Sequence, residues 1–142
     1  MKRIFAIVCV LMVLLLGHGI RDYMAFCAHP TQQEGTEWKT EDGTAWFTIP
    51  KDLSIDIDDD DVYYECTFVC NDEHHSVLLW MVPHLWGTVD MYSAEGVIIA
   101  EAHVDRCQEH LFSFTINTVY DENCDYLKSG DYFEFTKITP TS

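Results

Sequence analysis

Hydrophobic and polar positions along this chain alternate with a period of two from Thr36 onward. That is the rhythm of strands with one buried and one wet face, not the 3.6-residue rhythm of helices. Leu53, Ile55 and Ile57 alternate with Ser54, Asp56 and Asp58. Val62, Tyr64, Cys66, Phe68 and Cys70 share one side of a long run, and Phe112, Phe114 and Ile116 share one side of another. Glu41-Asp42-Gly43, Asn71-Asp72-Glu73, Ala94-Glu95-Gly96, Asp121-Glu122-Asn123 and Ser129-Gly130-Asp131 punctuate the runs as turns. Asp105 to Glu109 is polar and reads as a short helical turn. The count comes to about eight short, regularly spaced strands. The expected fold is all-β: an antiparallel meander closed into a barrel or strongly coiled sheet, with a β-sandwich as the alternative. Closure is favoured because it removes edges that a meander this apolar leaves exposed.

The first residues follow a different rule. Lys2 and Arg3 precede an apolar run from Ile4 to Leu16, and Gly17-His18-Gly19 supplies small residues at a cleavage position. This is the layout of a secretory signal peptide. The run is short for a span, which needs about 20 apolar residues, so cleavage is preferred over an uncleaved membrane anchor. A lipoprotein reading at Cys27 is disfavoured by Phe26 and by the intervening Arg21 and Asp22. The organisation is then a signal peptide over 1–19, an aperiodic linker over 20–35 and a single β domain over 36–142. The expected location is extracytoplasmic and secreted.

Charge narrows the partners. The 142-residue chain carries a net charge of −16, and loss of Lys2 and Arg3 makes the remainder more acidic still. Nucleic acid and anionic lipid surfaces are repelled. No membrane contact is expected beyond the N-terminal segment.

Cysteine usage fits export. Five of the six cysteines follow the leader, and an oxidising compartment makes disulfides the default. Cys27 lies in the linker and is the odd one out. Cys66, Cys70, Cys107 and Cys124 are the disulfide candidates. In an extended strand Cys66 and Cys70 lie ~13 Å apart, so each pairs with Cys107 or Cys124 rather than with the other.

Two short segments carry a resemblance. Gly35-Thr36-Glu37-Trp38 near the first strand and Tyr132-Phe133-Glu134-Phe135-Thr136-Lys137 in the last resemble the ends of lipocalin-type barrels. In that family a Gly-x-Trp opens the first strand and a basic residue from the last strand packs over the Trp. Here the spacing is Gly-x-x-Trp and the basic residue is Lys. The resemblance implies barrel closure by Trp38 and Lys137, and a cup for a small apolar ligand.

Signals for chemistry are sparse. Asp52, Asp56 and Asp58 to Asp61 form an acidic run, but a calcium loop fails because Asp61 stands where Gly is needed and Thr67 where the bidentate Glu belongs. The run reads as a solvated turn. His74, His75, His84, His103 and His110 have no metal-ligand spacing, so no metal or cofactor is expected. No Gly-x-Ser-x-Gly or phosphate loop is present, and the domain reads as non-enzymatic. Trp80, Trp86, Met91 and Phe114 are the candidate ligand pocket, against the plainer reading that they are core. The primary expectation is a barrel holding a small apolar or amphipathic ligand. The alternative is an interaction or accessory protein of the cell envelope, using an acidic face against a cationic protein partner.

Overall fold

The computed structural model of the chain describes residues 2–51, 62–82 and 87–138. Eight antiparallel strands close a barrel in meander order, β1 pairing with β8. They are β1 (Glu37–Thr40), β2 (Ala45–Thr48), β3 (Tyr63–Cys70), β4 (Glu73–Met81), β5 (Thr88–Tyr92), β6 (Ile98–Gln108), β7 (Leu111–Val119) and β8 (Tyr132–Ile138). The expected all-β closed meander is therefore the observed one. The expected strand over Leu53–Ile57, the acidic run, His84 and Trp86 lie outside the described residues.

The two-residue rhythm translates directly into faces. On β3, Tyr64, Cys66 and Phe68 point inward, each nearly unexposed. Opposite them on β4 stand Leu79, Val77 and His75. β3 joins β4 through only Asn71 and Asp72, both with positive φ (52° and 65°). Two consecutive left-handed residues match the right-handed twist of the strands they join. Asn and Asp tolerate that conformation better than most residues.

β6 departs from expectation. Residues 105–108 continue the strand rather than forming a helical turn, and β6 meets β7 at Gln108 opposite Leu111. The register shifts between Glu101 and Ala102 and again between Val104 and Arg106. The second shift turns both Asp105 and Arg106 outward before Cys107 returns to the core. An extra residue in one strand breaks the alternation that pattern reading depends on.

The N-terminal segment is one helix, α1 (Lys2–Ala28), followed by a single 3-10 turn over Pro30–Gln32. Residues 20–28, expected as linker, are helical, and Ala25, His29 and Pro30 are buried. The stretch is docked because the thiol of Cys107 donates to the Ala25 carbonyl (3.3 Å) and His29 meets the Phe112 ring edge-on at 5.2 Å. Over Ile7–Ala28 the helix is apolar enough to cross a membrane by length and composition, with mean hydropathy 1.7. Such a helix fits a signal sequence or an anchor equally.

Candidate functional site

The interior of the barrel is where a ligand cup belongs, and it is occupied by aromatic rings. Phe47 lies 5.0 Å from Phe135, which lies 5.4 Å from Phe114, while Phe68 lies 5.0 Å from Phe133. These spacings and tilts are those of favourable edge-to-face and offset contacts. Leu127, from the β7–β8 connection, is 1% exposed and closes one end. Trp38, Ile49, Phe112 and His29 close the other, all at 0%. A void wide enough for even one water molecule leaves its wall accessible. Phe114 and Met91 are 0% exposed, so no such void touches them.

The residues expected to form the pocket are not brought together. Phe114 and Met91 point inward. Trp80 stands between inward-facing Leu79 and Met81 and pairs with Tyr63 and Asp90, so it lies on the outer face, half-buried. Trp86 falls outside the described residues. The alternation on β4 already separates Trp80 from Leu79; its bulk suggested core where its parity did not.

Trp38 and Lys137 are direct cross-strand partners where β1 meets β8. Trp38 is fully buried, its Nε1 donating to Thr36 Oγ1 at 2.9 Å. Lys137 Nζ donates to Gln33 Oε1 at 2.8 Å. That bond ties the last strand to the segment between the 3-10 turn and β1, across the barrel floor.

All four disulfide candidates are free thiols in this structure, as is Cys27. β3 is extended through both Cys66 and Cys70, as the exclusion of a bridge between them requires. Cys66 is packed against core neighbours, its cross-strand partners being Phe47 and Val77. Cys107 turns to α1 on a distant strand. Burial pushes the Cys66 thiol well up and the Cys107 thiol up to about 11. Cys70 and Cys124 are half-buried. An alkylating reagent at neutral pH is therefore expected to modify Cys70 and Cys124 at least about tenfold faster than Cys66, since only the thiolate attacks. Comparable rates for Cys66 in the folded protein, followed by peptide mass mapping, contradict this placement.

Among the described residues no group of three or more His, Cys, Asp or Glu side chains is arranged to hold a metal ion. His103 contacts Asp105 at 3.0 Å and Asn117 at 2.5 Å, and both contacts lie on an exposed strand face.

The outer face of β3–β6 has the most concentrated surface chemistry. One row across the strands reads Tyr63, Trp80, Asp90, Glu101, Thr118. The next reads Glu65, Leu78, Tyr92, Ile98. Tyr63 and Tyr92 meet edge-on at 5.5 Å. Asp90 and Glu101 stand directly opposite each other, a like-charge pairing that destabilises a sheet. Burial, with the Glu101 charge second, raises the Asp90 carboxyl above its ordinary value. Its Oδ1 has no accessible surface and no hydrogen-bond partner. Tyr120 donates to Glu101 at 3.3 Å. Among the described residues no cation pairs with either carboxylate. By contrast, the other outer tryptophan of the described strands, Trp46, has Lys39 Nζ 5.4 Å from its ring centre. Sequence reading passed over Asp90 and Glu101 because their pairing depends on the β5–β6 register, which no short motif encodes.

A separate cleft of about 870 Å³ lies between α1 and the end of β6, lined by Ile20, Met24, Arg106 and Glu109 among others.

These features define the class: a closed, eight-stranded up-and-down barrel with an apolar N-terminal helix and a core filled by its own side chains. Comparison with models of known protein families, with characterised proteins and with solved structures finds no match.

Proposed function

We propose that this chain is an exported, non-enzymatic interaction module whose acidic outer surface engages a cationic protein partner. The observation that carries the reading is the closed interior. With Phe114 and Met91 at 0% exposure, recognition is left to the outside of the barrel. A net charge of −16 then sets the sign of the partner. The architecture is lipocalin-like, but with the cup filled.

Export is assigned to α1, acting as a cleaved leader. Its side chains from Ile7 to Leu16 are exposed, and the first buried residue is Ala25. Cleavage after Gly19 thus removes no core residue and leaves the docked segment in place. Intact mass of the protein recovered from its native compartment is expected to give a chain starting at Ile20. A full-length mass in the membrane fraction makes α1 an anchor instead.

The binding reading is tested by titrating full-length protein, held in zwitterionic micelles, with oligo-arginine, oligo-lysine and oligo-glutamate peptides. Saturable binding of cationic peptides alone, weakening steeply as salt rises, is expected. Equal binding of oligo-glutamate, or none of any peptide, overturns it.

A further inference from the structure

We propose that the outer face of β3–β6, centred on Trp80, Asp90 and Glu101, is the docking surface for an arginine-bearing segment of the partner; the assignment rests on the interaction-module reading above. Several observations converge on this face. Its aromatic side chains Tyr63, Trp80 and Tyr92 cover adjoining positions, and Tyr63 is 42% exposed. Two half-buried carboxylates stand opposite each other in its middle, with no cation paired to them among the described residues. A fold gains nothing from setting Asp90 against Glu101. The arrangement becomes favourable when a cation sits between them.

Guanidinium fits this surface better than ammonium. Its planar fork donates to two carboxylate oxygens at once, and its face stacks on an aromatic ring. Cross-strand neighbours stand close enough for Asp90 and Glu101 to share one such group while Trp80, adjacent to Asp90 in the same row, supplies the ring. The apolar neighbour Leu78, in the next row, extends the surface for the flanking residues of the partner segment. Trp46 is the internal contrast: it carries the chain's own Lys39 and needs no outside cation.

The test uses full-length protein in zwitterionic micelles and an oligo-arginine peptide, with oligo-lysine as comparison. Binding is followed by backbone and indole chemical shifts and by calorimetry. Shifts are expected to concentrate at Trp80, Asp90, Tyr92 and Glu101. The double variant D90N/E101Q is expected to weaken oligo-arginine binding about tenfold or more, the usual consequence of removing one side of a close charge pair. It keeps or raises the melting temperature, because the like-charge pairing is relieved. D121N/E122Q removes the same charge elsewhere and is expected to change affinity less than about twofold, as for a distant surface charge. Equal losses in the two variants overturn the site while leaving a diffuse acidic surface as the binding determinant. Oligo-lysine binding as tight as oligo-arginine overturns the guanidinium assignment. Failure of every cationic peptide to bind removes the interaction-module reading beneath it.

Discussion

Replacing Phe114 with alanine is expected to cost about 3–5 kcal/mol of folding stability, the range for removing a fully buried phenylalanine. The side chain is 0% exposed and touches Phe112, Phe133 and Phe135, with ring centres 6.1, 5.6 and 5.4 Å away. Its removal therefore leaves partners on β7 and β8 facing a hole, and a closed barrel relaxes into such a hole only in part. Domains of this size hold roughly 5–15 kcal/mol in total, so the variant stands near the edge of folding. The melting midpoint is expected to fall by roughly 10–20 °C. Glu95→Ala, on an exposed turn, changes stability by less than about 0.5 kcal/mol. Denaturant unfolding of both variants gives the check. A loss at Phe114 below about 1 kcal/mol contradicts a tightly filled interior.

Acid is expected to loosen the junction between α1 and the barrel floor. His29 is 0% exposed, and its Nδ1 accepts from the backbone N–H of Thr31 at 3.3 Å. Its Nε2 is buried without a partner. Burial lowers its pKa from the ordinary 6.5 to about 4. The folded protein thus holds this ring neutral, while the unfolded chain takes up a proton as pH falls below 6.5. Stability from His29 is full above pH 6.5 and is lost progressively as pH falls towards 4. At 1.36 kcal/mol per pH unit the loss approaches about 3 kcal/mol. His29→Gln cannot titrate, so its stability between pH 6.5 and 4 is expected to decline less steeply than that of the native protein. Parallel pH profiles contradict the assignment. Carboxylates add their own slope from about pH 5 downward in both proteins, so the difference between the two profiles isolates His29.

Much of the fold was legible because one interior imposes one parity on each strand. Cys66, Phe68, Phe112, Phe114 and Ile116 could be assigned inward from alternation alone. Legibility failed where the backbone breaks parity. The shift at Val104/Arg106 puts two polar residues outward in succession and imitates the end of a strand. The segment 20–35 lacked a period because it is docked by single contacts, at Ala25, His29 and Gln33, rather than by a continuous apolar stripe. The proposed docking surface is the least legible. Trp80 is expected to line the pocket as a large aromatic on a central strand, whereas its position between inward-facing Leu79 and Met81 sends it outward. Asp90 and Glu101 are 11 positions apart in sequence and become neighbours only through the β5–β6 register.

A fluorescent long-chain fatty acid titrated into native protein and into Phe114→Ala tests the central claim most directly. The native protein is expected to show no saturable uptake, because the described interior around Phe114 and Met91 leaves no space for an apolar chain. Stoichiometric, saturable binding by the native protein that the Phe114 substitution alters would place a ligand inside the barrel and contradict the account.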